Sequence, residues 1–344
     1  MSIETSFGPL SPALEEGAHN AVDVCLAITR GERVALVADE ASREVAASIA
    51  AALDAAGAKT TSVLIEHVAT RPMTAAPREV LGALEACDAG VLCVQPQQGE
   101  LGARMSIVAT VERRQIRYAH MVGVTPTIMQ QGMRADYRLV DRLSTVLCEH
   151  MRAAASLRVS TKYGTSLKAS FDPTLHWVKT SGLISPRYWS NLPAGEVFTT
   201  PASVDGVFVC NGTAGDYFGG KYGDLSGTPM TLEIAGGRLT SVHCERRDLE
   251  REFHDYCHTD AFSDVVGELA FGTNLALSDM IGILLQDEKV PGVHLAFGDP
   301  YGSQTGANWK SCTHVDVLTR ECDVWIDDQQ VIANGRYLLD RLGL

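Results

Sequence analysis

The chain has 344 residues, 45% hydrophobic and 21% charged, which gives enough apolar mass for a core and enough length for two domains. Its formal net charge is −13, from 42 acidic against 29 basic residues, and this argues against nucleic acid or an anionic membrane as the main partner. No apolar run is long enough to span a bilayer, and MSIETSFGPLSPALEEG lacks the basic start and apolar centre of a secretory signal, so a cytoplasmic protein is expected.

In chain order, GERVALVAD (31–39) reads as a strand and EASREVAASIAAALDAAG (40–57) as an alanine-rich helix stopped by glycine. TTSVLIEH (60–67), AGVLCVQP (89–96) and RYAHMVGVT (117–125) read as strands, with a helix at REVLGALEACD (78–88). This alternation predicts a parallel sheet covered by helices. No GxGxxG follows the first strand and no GxxxxGK[ST] occurs, so this half is expected to act as scaffold, oligomerisation surface or cleft wall rather than as a nucleotide site. A helix is expected over YRLVDRLSTVLCEHMRAAA (137–155).

Beyond it the texture changes. SLRVSTKYGTSLKASFD predicts a hairpin turning at Tyr163-Gly164, and TPMTLEIAGGRLTSVHCE (228–245) one turning at Gly236-Gly237. GEVFTTP and VDGVFVCNG add strands, RRDLEREFHDYCH (246–258) a helix, and CTHVDVLTRECDVWIDD (312–328) two more strands. The expected fold class is α/β: a parallel-sheet α/β domain over 1–156, then a mixed α+β domain over 157–344. The nine cysteines form no CxxC and are expected to be reduced, mostly buried thiols.

The second half carries polar residues in apolar settings. Glu196 lies in NLPAGEVFTTP, Glu268 in VVGELAFGTN, His294 in GVHLAFGDPYG, and His314 and Asp316 two apart in the HVD strand. Residues i and i+2 of a strand share a face, so His314 and Asp316 aim at one point. Three buried carboxylates repel one another, and two histidines do not compensate them. A divalent cation, or two, would resolve this. Nitrogen and oxygen donors without thiolate suit catalytic Zn, Co, Mn or Fe rather than structural zinc. Five ligands exceed the needs of one catalytic ion, and a bridging carboxylate would make a two-ion centre.

GEVFTTP, GELAFGTN, HLAFGDPYG and HVDV, in that order, resemble the thermophilic metallo-aminopeptidases, the group of aminopeptidases T, S and PepS. The likeness covers most of residues 185–328. It implies that Glu196, Glu268, His294, His314 and Asp316 hold two metal ions, and it makes Tyr301 the catalytic tyrosine candidate. The mechanism implied is amide hydrolysis by metal-activated water. Glu196 or Glu268 would be general base, and Tyr301 would donate to the oxyanion. A small peptide or amide substrate and a homodimer are expected. THVDVLTRECDVWIDDQQVI also resembles the 2,5-dihydroxypyridine dioxygenases. These share the fold but use one Fe(II), with a histidine where this chain has Glu268 and no glutamate at the position of Glu196. Both glutamates are present here, which favours the hydrolase set. A non-catalytic metal- or ligand-binding relative is the third reading. His254 and His258 have helical spacing but no HExxH. His176 and Trp177 read as an aromatic pair, Asp299, Asp327 and Asp328 as turn residues, and Lys221 as a possible contact to a substrate carboxylate.

Overall fold

The computed structural model describes residues 4, 5 and 7–344. Two compact units emerge: one runs to Arg138 and includes Gly182–Ala194, and the other comprises Leu139–Ser181 and Gly195–Leu344. The expected division at 156/157 differs from this for two reasons. The helix Tyr137–Ala153 buries Leu143, Leu147 and Met151 in the core of the second unit. The segment around Ser190–Asn191 returns to the first unit, where it adds a parallel strand beside Arg117–Val122.

The first unit is the expected parallel sheet. Its strands lie in the order Ser190–Asn191, Arg117–Val122, Ala89–Val94, Arg33–Ala38 and Lys59–Leu64. All neighbours pair in parallel. Ala89–Val94 is buried along its whole length, as a central strand covered on both faces must be. Val80, Leu84, Ile107 and Val111, from the helices Arg78–Ala86 and Leu101–Arg114, pack with Val37 and Leu92.

His120 lies in this unit. Its ring faces Trp189 at 5.5 Å, and its Nδ1 meets the Tyr118 hydroxyl at 3.2 Å. Burial lowers its pKa to about 4. A histidine depressed in the folded state contributes stability above its unfolded value and loses it as pH falls through the folded one. The wild-type chain is therefore expected to lose roughly 2–3 kcal/mol more than His120→Gln between pH 7 and pH 4. Denaturant titrations at the two pH values, followed by Trp189 fluorescence, measure this; equal losses would contradict it.

The second unit holds two antiparallel sheets. One has eight strands, ordered Arg238–Cys244, Met230–Ala235, Ser203–Cys210, Ser166–Ser170, Ser156–Ser160, Asp323–Ile326, Gln329–Ala333 and Arg336–Tyr337. The other has five, ordered His314–Leu318, Gly292–Gly298, Val266–Gly272, Glu196–Thr199 and Val178–Thr180. Both expected hairpins form. Gly236 and Gly237 both take positive φ, 58° and 75°, as a tight two-residue hairpin turn requires. The two strands of 312–328 separate, His314–Leu318 into the five-stranded sheet and Asp323–Ile326 into the eight-stranded one.

The core lies between these sheets. Val197, Leu269, Leu295, Phe297, Val315 and Val317 come from the five-stranded sheet and meet Leu157, Leu167, Phe208, Leu232 and Val324 from the other. Among the described residues, no helix is long and apolar enough to cross a membrane. Eight cysteines are buried and Cys312 is exposed.

Candidate metal centre

Val197, Leu269, Leu295, Val315 and Val317, which four adjacent strands of the five-stranded sheet contribute to the core, are all odd-numbered. The period of two therefore sends the intervening even positions to the opposite face. Those positions include Glu196, Glu268, His294, His314 and Asp316, drawn from four adjacent strands. Register aligns them: Glu268 pairs with Ala296 and Ala296 with Asp316, while Ala270 pairs with His294. The alanines leave room for the longer side chains beside them to converge. An irregularity between Val266 and Glu268 shifts the register, which lets Val266 join the core while Glu268 keeps the other face.

The five residues come together. His294 Nε2 lies 3.0 Å from Glu196 Oε1, 3.7 Å from Glu268 Oε1 and 4.0 Å from Asp316 Oδ1. His314 Nε2 lies 4.0 Å from Glu268 Oε2 and 3.8 Å from Asp316 Oδ1. Donors bound to one tetrahedral ion at about 2.1 Å are about 3.4 Å apart, so these separations suit a shared cation. His294 Nε2 is buried and, although 3.0 Å from Glu196 Oε1, makes no well-directed hydrogen bond. A buried polar atom without a partner is costly, and a metal ion is the partner that this donor set fits. His314 Nδ1 sits 2.9 Å from the Asp299 carbonyl. Donation there leaves Nε2 as the free lone pair facing the carboxylates, the outer-shell support typical of a ligating histidine.

Two further residues reach the site that sequence reasoning missed. Glu288 and Lys289 lie in the short connection between the helix Leu284–Asp287 and the strand Gly292–Gly298. The chain crosses the sheet face at Gly272, where an added Cβ would stand 2.0 Å from the Val290 carbonyl oxygen. Only glycine admits that approach, and it carries Glu288 and Lys289 into the cluster. Lys289, 2% exposed, places Nζ 2.8 Å from Glu196 Oε2 and 2.6 Å from Glu288 Oε1. Glu288 also forms a possible donor set with His294 and Asp316. The signal available in the sequence was a charged pair placed between apolar segments and just before the HLAFG strand.

The electrostatics are those of crowded acids. Burial raises the Glu268 pKa, and the charges of Glu196 and Asp316 add to it. Burial likewise lifts Glu288, against the pull of Lys289. Burial opposes ionisation of Glu196 too, but Lys289 and His294 outweigh it and hold its pKa below the usual range. Burial would lower both histidines; neighbouring carboxylates raise them instead, Glu196 and Glu268 for His294 and Asp316 for His314. Without a metal, protons on the imidazoles supply the positive charge. A cation binding here must displace them.

Tyr301 has left-handed backbone, φ 49°, a strained conformation for a tyrosine. Its ring lies 4.5 Å from that of His314, and the residue is 40% exposed. Burial of its hydroxyl and the site carboxylates keep it firmly protonated.

The remaining candidates lie elsewhere. Trp177 packs in the core against Phe271, and His176 is exposed. His254 and His258 stack on the surface. Lys221 pairs with Glu252. Asp299 receives the Tyr301 amide, and Asp327 the amides of Ala155 and Ser156.

A family model described as thermophilic metalloprotease (M29) matches residues 137–329. The 2,5-dihydroxypyridine 5,6-dioxygenase of Pseudomonas putida (strain KT2440) is 25% identical over 197 residues, 54% of this chain and 55% of that protein. The match thus spans about half the length of this curated relative. Two solved structures share the fold. The 2,5-dihydroxypyridine dioxygenase from Pseudomonas putida KT2440 has a TM-score of 0.68 at 20% identity, covering 96% of this chain and 98% of that one. Wild-type AmpT from Thermus thermophilus also has a TM-score of 0.68, at 18% identity, covering 95% and 99%.

Proposed function

Because the chain belongs to the M29 family of thermophilic metalloproteases, we propose that it is an aminopeptidase-like hydrolase that cleaves a peptide or small amide bond. The observation that carries this reading is the cluster on one sheet face: Glu196, Glu268, His294 and Asp316 around one unpartnered imidazole nitrogen, with His314 beside them. The divalent ion would be held from within this set of five, which offers more donors than one catalytic ion needs. When bound, such an ion lowers the pKa of a water and polarises a carbonyl.

The protein groups divide the remaining work. Lys289 engages Glu196 Oε2, which leaves Glu268 as the carboxylate free to take a proton. Burial raises its pKa, the direction in which a carboxylate becomes a better base. Tyr301, protonated and partly exposed beside His314, would donate a hydrogen bond to the oxygen that gains charge when the amide carbonyl is attacked. Tyr301→Phe is therefore expected to lower kcat about a hundredfold while KM and metal content stay within about twofold. Steady-state kinetics with elemental analysis checks this; an unchanged kcat removes Tyr301 from the mechanism. A small peptide or amide substrate, a homodimer and a cytoplasmic location belong to the same proposal.

The experiment that tests the reading supplies the metal-stripped protein with Zn, Co, Mn or Fe(II) and offers two substrates. Release of leucine from leucinamide with Zn, Co or Mn supports the hydrolase. Oxygen uptake with 2,5-dihydroxypyridine and Fe(II), the activity named for the Pseudomonas relative, would replace it.

A further inference from the structure

Resting on the metal-centre reading, we infer that this site takes one divalent ion per chain, and that the buried ammonium of Lys289 occupies the place of a second. The resemblance to metallo-aminopeptidases implies two ions; the geometry around Lys289 points to one.

Lysine is among the residues least often fully buried, yet Lys289 is 2% exposed inside a site built for cations. Its Nζ lies between Glu196 Oε2 at 2.8 Å and Glu288 Oε1 at 2.6 Å. An ion shared by those two oxygens would need the same point, and two cations there would repel strongly. The main chain of Lys289 is anchored: its carbonyl accepts from the Asn274 amide at 3.0 Å, and its amide donates to the Gln286 carbonyl at 2.9 Å. The backbone beyond it presses on Gly272.

The donor sets agree. Among the described residues, two sets of three donors close to within 4.8 Å, Glu196–Glu268–His294 and Glu288–His294–Asp316. Both need His294, and one ring nitrogen binds one ion, so they are alternative triads for a single cation. His314 joins neither set; its Nε2 stands 3.8 and 4.0 Å from Asp316 and Glu268, at the edge of the cluster.

The charge pattern assigns Lys289 a second consequence. With the ammonium on Oε2, Glu196 offers only Oε1 to the metal. Removing the ammonium frees Glu196 Oε2 and Glu288 Oε1 together, and these oxygens then form the edge of a second cation site.

Metal content tests this without reference to activity. Wild-type protein, Lys289→Met and Lys289→Arg are saturated with zinc, passed through a desalting column and analysed for zinc per chain. The expected ratios are about one for wild type, about two for Lys289→Met, and about one for Lys289→Arg, which keeps the charge. A ratio of two in the wild type overturns the inference, as does a ratio of one in both wild type and Lys289→Met. No zinc in any of them overturns the metal-centre reading itself, a different result. Circular dichroism checks that each variant is folded. Lys289→Gln, which retains hydrogen-bonding capacity, takes the place of the methionine variant if that one does not fold, with the same two-ion expectation.

Discussion

His294→Ala is expected to abolish tight metal binding and to lower leucinamide turnover by about a thousandfold or more. The imidazole is the hub of the cluster: its Nε2 reaches Glu196, Glu268 and Asp316 within 4.0 Å. Both compact donor sets depend on it. Without it the carboxylates still attract cations, but only the His314 nitrogen at the edge of the cluster remains to select a transition metal over calcium or magnesium. The loss should be catalytic rather than structural. His294 alternates with Val293 and Leu295, which keep their core contacts, so the far-ultraviolet spectrum is expected to stay unchanged. Elemental analysis and turnover, measured on the same sample, check the coupling. A variant that keeps its metal but loses activity would make His294 a proton carrier rather than a ligand. One that keeps both would remove it from the site.

Arg71→Met is expected to destabilise the first unit by about 3–5 kcal/mol. Arg71 is 5% exposed in its side chain, and it bridges Asp39 at 0% and Glu100 at 1%. It reaches Glu100 through two nitrogens, at 2.9 and 2.6 Å, and also donates to the Gln95 carbonyl at 2.6 Å. Asp39 in turn accepts from the amides of Ser42 and Gln95. Asp39 and Gln95 follow directly on two neighbouring central strands, so the triad ties the loops together where those strands end. Removing the guanidinium leaves two buried carboxylates without their cation, and that uncompensated charge is the larger part of the cost. Urea unfolding followed through Trp189, which lies in this unit, measures it. Adding Asp39→Asn and Glu100→Gln should recover much of the loss, because the desolvated charges go with them. A loss below about 1 kcal/mol would mean that the network is solvated in solution.

Much of the fold is legible in the sequence because each element carries its own signal. The alternation over 31–125 marks the parallel sheet, and Gly236-Gly237 marks a hairpin. The segment at Gly182–Ala194 is different. Its return to the parallel sheet through the two-residue strand Ser190–Asn191 is a tertiary pairing with no periodicity to announce it. The five site residues are legible for a related reason. An acid or imidazole in an apolar strand breaks the pattern of its surroundings, as Glu268 does in VVGELAFG. Glu288 and Lys289 break nothing locally. Charged residues in a short connection between a helix and a strand look solvated, and only the close crossing at Gly272 buries them. The missed lysine matters most, since a reading limited to three carboxylates and two histidines leaves every compensating charge to metal.

The most direct test of the metal centre is anomalous X-ray scattering, collected at the zinc edge, from crystals of the zinc-saturated protein. The account predicts one peak per chain, about 2.0–2.2 Å from His294 Nε2 and from carboxylate oxygens of the Glu196, Glu268 and Asp316 cluster, with Lys289 Nζ still on Glu196. A peak away from this sheet face, or none in a zinc-saturated crystal, would contradict it.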